Sequence, residues 1–71
     1  MSSAGAMRST ANLSDRNLTD LEIYLYGTEI GDEVRDCEVI NLGGNVLNAL
    51  PYSLPELLPN CKTLNLLENP L

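Results

Sequence analysis

The chain has no histidine. That removes the Ser-His and Cys-His pairs used for nucleophilic catalysis, and two cysteines without histidine do not make a zinc site. Cations are scarce: four Lys and Arg stand against ten Asp and Glu, for a net charge of −6. Phosphate backbones are bound through Lys and Arg, so neither nucleic acid nor an anionic membrane is an expected partner. No apolar run approaches the ~18 residues of a membrane-spanning helix. The start, Met1 to Arg8, lacks the basic segment and long apolar core of a secretion signal. Residues 1–7 are expected to be a flexible segment, and the expected compartment is intracellular. The glycosylation-like triplets Asn12-Leu13-Ser14 and Asn17-Leu18-Thr19 would matter only in a secreted protein. Gly43-Gly44 lacks the Lys and Ser/Thr of a phosphate loop. Asp32, Glu33 and Asp36 do not have the spacing of a calcium loop. Seven of the ten acids fall within residues 20–38, which reads as a solvated face. No catalytic residue, cofactor or metal is expected, and the chain reads as a non-enzyme.

What the chain does have is leucine, 14 of 71 residues, placed in a repeating phrase. Residues 37–47 recur as residues 61–71 at an offset of 24, with Cys, Asn, Leu, Asn and Leu identical in five of eleven positions. A weaker copy spans Arg8 to Leu18, where Asn12, Leu13 and Leu18 fall in the matching places. Repeats at this spacing imply stacked units that share one core. Within each strong copy, apolar residues flank a polar one: Ile40 and Leu42 around Asn41, Leu64 and Leu66 around Asn65. That alternation is the period of a half-buried strand. Identical strands one crossover apart must pair in parallel. Asn45 and Asn69 follow three residues later and mark a bend.

The return paths are also legible. After Leu47, Leu50, Leu54 and Leu57 follow at spacings of three or four, with Pro51 beside Leu50. Ser53 and Glu56 have the form of a capping box, and Pro59 stops a single turn over 54–58. In the first interval, Leu18, Leu21, Tyr24 and Leu25 share one helical face, with Thr19 or Asp20 as cap and Gly27 as terminator. Ile30-Gly31-Asp32-Glu33 then reads as a polar turn. A strand through Ile23 and Leu25 would leave too short a unit before Asn45, so the helix is preferred.

The phrase C-x-x-(I/L)-x-L-x-x-N-x-L, with Leu47, Leu50, Pro51, Leu54 and Leu57 after it, resembles the leucine-rich repeat. The resemblance covers roughly residues 8–71. It implies an α/β solenoid of about three repeats, with a short parallel sheet on the concave side and helical turns on the convex side. The units would be 8–36, 37–60 and an incomplete 61–71. Cys37 and Cys61 replace the usual Leu, and Arg16 replaces the bend Asn of the first copy. The longer first interval resembles the helix-containing units of ribonuclease-inhibitor-type members.

In such units Leu13, Ile40, Leu42, Leu64 and Leu66 fill the core, and Leu18, Leu47 and Leu71 close it below the bend. Asn45 and Asn69 are structural, because a bend leaves buried backbone groups that an Asn amide can satisfy. Asn12, Asn41 and Asn65 are the candidate partner-binding row on the concave face. Around them lie Thr10, Ser14, Val39, Glu38, Lys62, Thr63, Leu67 and Glu68. Solenoids bind through this face.

A three-strand sheet offers about 170 Å², against about 800 Å² per partner in a standard interface. The last strand, with no return segment after it, would also expose an open edge. The expectation is therefore a chain that is a fragment, that self-associates, or whose edge a larger assembly covers. The function read from the sequence is a protein-interaction module or scaffold. The alternatives are a structural subunit attached through that edge and, more weakly, an enzyme inhibitor.

Cys37 and Cys61 occupy equivalent inward positions and are expected to be free, buried thiols, as suits an intracellular chain. Thiol titration of the denatured, unreduced protein should count two reactive groups; none would mean a disulfide.

Overall fold

The computed structural model describes residues 10–71. The expected flexible segment, residues 1–7, and the first two residues of the unit 8–36 lie outside the described residues. Three strands, β1 (Thr10–Asn12), β2 (Val39–Asn41) and β3 (Thr63–Asn65), form one parallel sheet in the order β1-β2-β3. Thr10, Val39 and Thr63 stand side by side, then Ala11, Ile40 and Leu64, then Asn12, Asn41 and Asn65. The sequence copies are thus in register.

Backbone bonding runs on past the strand ends. The amides of Leu13 and Asp15 donate to the carbonyls of Asn41 (2.8 Å) and Gly43 (3.0 Å). One unit further, those of Leu42 and Gly44 donate to Asn65 (2.8 Å) and Leu67 (2.9 Å). The bend then takes the same backbone form three times, with φ of 57° at Asp15, 70° at Gly44 and 62° at Glu68.

Between β1 and β2 the chain forms two short helices, α1 (Leu21–Leu25) and α2 (Glu29–Val34). Asp20 caps α1, its Oδ1 accepting from the amides of Glu22 (3.0 Å) and Ile23 (3.2 Å). Gly27, at φ 71°, turns the chain out of it. The residues expected as a polar turn, Ile30 to Glu33, are instead the body of α2. Thr28 is the reason. Its Oγ1 accepts from the Gly31 amide (3.0 Å) and lies 2.9 Å from the Tyr24 carbonyl and 3.0 Å from that of Leu25, so it caps α2 while holding the end of α1. Gly31 and Val34 are buried and Ile30 is partly buried, giving α2 an inward side.

Between β2 and β3 lies the single turn α3 (Leu54–Leu57). The expected capping box is not formed. Ser53 makes no side-chain cap bond; its hydroxyl instead meets Glu22 Oε2 of α1 at 3.3 Å.

The core is a cluster of Leu13, Leu18, Leu21, Leu25, Val34, Cys37, Ile40, Leu42, Leu47, Leu57 and Leu58. Burial of each large side chain stabilises the fold by roughly 1.5–3 kcal/mol. Three expectations fail at the β3 side. Leu64 and Leu66 are only partly buried, Cys61 is half-buried, and Leu71 is 55% exposed. The reason is geometric: β2 is covered on both sides by neighbouring strands, whereas β3 has one neighbour among the described residues. No disulfide joins the two cysteines: the Cys37 thiol donates to the Glu33 carbonyl (3.7 Å) and the Cys61 thiol to that of Thr63 (3.3 Å).

The closest helix contact is at Gly31, where an added Cβ would lie 1.8 Å from the Leu25 carbonyl oxygen. That obstacle is backbone and cannot rotate away, so Gly31→Ala should destabilise by about 1–3 kcal/mol. Gly27 has open space around it and only its positive φ to oppose a side chain, so Gly27→Ala should lose about 1 kcal/mol. Urea denaturation of the two variants checks the order.

Candidate functional site

Two rows of asparagine, four residues apart along the chain, do different work. The first is the bend pair. Asn45 is 5% exposed. Its Oδ1 accepts from the amides of Arg16 (2.9 Å) and Leu18 (3.1 Å), and its Nδ2 donates to the carbonyls of Leu13 (3.0 Å) and Leu42 (2.8 Å). Asn69 repeats this one unit on. Its Oδ1 accepts from Leu47 (3.0 Å), and its Nδ2 donates to Leu42 (2.9 Å) and Leu66 (3.1 Å). Each amide therefore serves its own bend and the preceding one.

This explains Arg16. The groups that a bend needs satisfied in unit one are supplied by Asn45, so residue 16 contributes only its backbone amide. The Arg16 side chain is exposed, with Nη2 3.4 Å from the Asn12 carbonyl oxygen.

The second row is Asn12, Asn41 and Asn65, brought together as nearest neighbours on the exposed face of the sheet. Each Oδ1 is held by the backbone two residues on. Asn12 Oδ1 accepts from the Ser14 amide (3.1 Å) and hydroxyl (2.7 Å), Asn41 Oδ1 from Gly43 (2.9 Å), and Asn65 Oδ1 from Leu67 (2.9 Å). Such turns, in which an Asn side chain binds the backbone two residues ahead, fix the side-chain rotamer. With the oxygen fixed, the nitrogen is fixed too, and none of the three Nδ2 groups donates to another described residue.

The other expected site residues group around this row. Thr63 stands beside Val39 and Thr10 in the row before it. Glu38 and Lys62 meet at 3.7 Å with side chains 45% and 75% exposed, a pair that adds little stability in water. Leu67 and Glu68 sit beyond the end of β3, where Leu67 is 72% exposed. At the corresponding place in unit two there is only Gly43, whose missing side chain leaves room next to Asn41 Oδ1 and Asn65 Nδ2.

The opposite side of the molecule carries a cleft of about 570 Å³ between the α1–α2 corner and α3, lined by Tyr26, Asp32, Arg35, Pro55 and Pro59 among others. Arg35 Nη1 crosses it to the Glu56 carbonyl (3.2 Å). The sequence has no signal for this cleft, because its walls come from segments that meet only in the folded chain. Among the described residues, no group of three His, Cys, Asp or Glu side chains could hold a metal ion.

No protein-family model, curated protein or solved structure matches this chain.

The two rows predict opposite responses to one isosteric change. Asn45→Ala should lose about 3 kcal/mol, since the Arg16 and Leu18 amides and the Leu13 carbonyl lose this partner, while the Leu42 carbonyl keeps Asn69. Asn45→Asp should also destabilise, because a carboxylate cannot donate to Leu13 and Leu42. Asn41→Asp keeps the accepted bond from Gly43 and should stay within about 0.5 kcal/mol of the parent. Thermal melts of the three variants test the assignment.

Proposed function

We propose that this chain is a leucine-rich-repeat interaction module, a short solenoid that presents its sheet face to a protein partner and performs no catalysis. The observation that carries the reading is the asparagine bend pair. Asn45 and Asn69 each bridge their own bend to the one before, which is how identical units stack without leaving buried polar groups unsatisfied. The register of the copies supports it further. In a stack of this kind the exposed sheet face is the natural contact surface. Here that face holds uncharged polar side chains in aligned rows. The reading carries with it an intracellular compartment and a partner that is neither nucleic acid nor a membrane surface, in keeping with the net charge of −6. No helix among the described residues is long and apolar enough to cross a membrane.

A second reading is favoured by one feature. Next to β3, a groove of about 220 Å³ is lined by Leu54, Pro55, Leu58, Cys61, Lys62 and Leu64. Partly buried apolar residues at a sheet edge suit attachment to a larger structure. In that case the chain is a structural subunit and the edge is its contact.

Photo-crosslinking in cells separates the readings. A photoreactive residue is placed in turn at Val39 on the sheet face, at Pro55 in the edge groove and at Glu29 on the outside of α2. Specific crosslinks from position 39 are expected. Crosslinks from position 55 alone would favour the structural subunit, and none from either position would overturn both readings.

A further inference from the structure

The two open edges of the sheet are opposite in kind. A trans peptide points its carbonyl and its N–H to opposite sides, and no peptide among the described residues is cis. The Leu13 and Asp15 amides donate toward β2, so the Asn12 and Ser14 carbonyls point away from the sheet at the β1 edge. The Asn65 and Leu67 carbonyls accept from Leu42 and Gly44, so the Leu66 and Glu68 amides point away at the β3 edge. One edge presents acceptors and the other donors, at equivalent places of the repeat. Laid head to tail, the Asn12 and Ser14 carbonyls of a second copy would receive Leu66 and Glu68 just as Asn41 and Gly43 receive Leu13 and Asp15. Each edge also has a groove with apolar lining. One of about 240 Å³ beside β1 includes Ala11, Leu13, Ile30 and Val34; the other is the groove of about 220 Å³ beside β3. Matched edges of this sort build open-ended stacks.

Side chains oppose the stack at two places. Residue 16 of the second copy would stand where Asn45 and Asn69 stand in their own units. Those two accept from the Leu18 and Leu47 amides and donate to the Leu13 and Leu42 carbonyls. At the third bend the equivalent residues are Leu71 and Leu66. A guanidinium only donates, so Arg16 cannot accept from the Leu71 amide. Its Nη2 also lies 3.4 Å from the Asn12 carbonyl oxygen, the acceptor that Leu66 would use. The second place is the positive-φ residue of the bend. Asp15 lies over Gly44, where an added Cβ would be 2.1 Å from Asp15 Oδ1. Asp15 of a second copy would meet Glu68 instead, which has a side chain where Gly44 has none. Carboxylate would then face carboxylate. Glu68 holds φ 62°, a conformation that favours glycine.

We propose that the β1 and β3 edges form a latent head-to-tail interface between copies of this chain, held shut by Arg16 on one edge and by Glu68, against Asp15, on the other. Both guards are exposed residues, so removing either leaves the single chain folded. Neither reading of the function is required for this.

The test removes the guards one at a time. Arg16→Asn opens the β1 edge alone and Glu68→Gly the β3 edge alone, so each variant by itself, like the parent, should run as a 7.7 kDa monomer in sizing with light scattering. Mixed in equal amounts, the two should form a one-to-one dimer of twice that mass. The dimer does not extend, because its outer edges keep their guards. Its dissociation constant should lie below about 0.1 mM, at least about tenfold tighter than either variant with itself. The double variant should grow with concentration, and adding the Glu68→Gly chain should shorten its assemblies by ending each stack on Arg16. One residue of each sign is lost in the double variant, so its net charge is still −6. Asp15→Gly with Arg16→Asn opens the interface from the β1 side only and should grow likewise. Far-ultraviolet dichroism of each variant checks the fold.

A mixture that stays monomeric up to about 1 mM would overturn the proposal. So would a parent chain or single variant that associates as readily as the mixture, or assemblies of the double variant that the Glu68→Gly chain does not shorten.

Discussion

The structure depends on how the backbone is satisfied where it leaves the sheet. Each strand is three residues long, and the chain must then turn inward over an apolar core. Turning strips amides and carbonyls of their sheet partners in a place water does not reach, where each unsatisfied group costs about 1–3 kcal/mol. Asn45 answers four of these groups at once. Because three of them (the Arg16 and Leu18 amides and the Leu13 carbonyl) belong to the preceding bend and one (the Leu42 carbonyl) to its own, the same side chain that closes one bend also ties it to the one before. Core packing and strand register follow from that tie, since a slip by one residue would leave the amide facing the wrong carbonyl.

The same residue type does a different job four positions earlier, and burial separates the two. In the bend, both ends of the amide are used by backbone and nothing is left over. On the strand, the oxygen is held by backbone and the nitrogen donates to no other described residue. The molecule is thereby divided into an inner row that holds it together and an outer row with bonding capacity to spare. The residues that set stability are not those that would set affinity, so the outer face can change without disturbing the fold.

The two crossovers show how much variation this arrangement accepts. Unit one needs 29 residues between equivalent strand positions and unit two needs 24, yet β1, β2 and β3 keep one register. The extra length is taken up on the side away from the sheet, in the corner between α1 and α2. There Thr28 holds two helix ends and Gly31 allows a backbone approach that any side chain would prevent. Unit two makes do with one turn, capped by nothing from Ser53, whose hydroxyl leans on Glu22 instead.

The parallel pairing, the register and the inward leucines were legible in the sequence. Each follows from an interval of 24 or 29 residues and a period of two, which are properties of the chain alone. The role of Asn45 was legible for the same reason, since a polar residue at a fixed distance after a strand has few other uses. Helix α2 was not, because Ile30 to Glu33 is polar and glycine-bearing in sequence and becomes helical only when Thr28 and the wall of α1 supply a cap and a surface to pack on. Nor was the partial burial of Leu64 and Leu66, which depends on how many strands flank β3 and not on the residues themselves. The bonds of the strand Asn oxygens to the backbone were likewise decided in three dimensions. Composition names the group; only the backbone conformation two residues on determines which of its two ends is spent and which is left free.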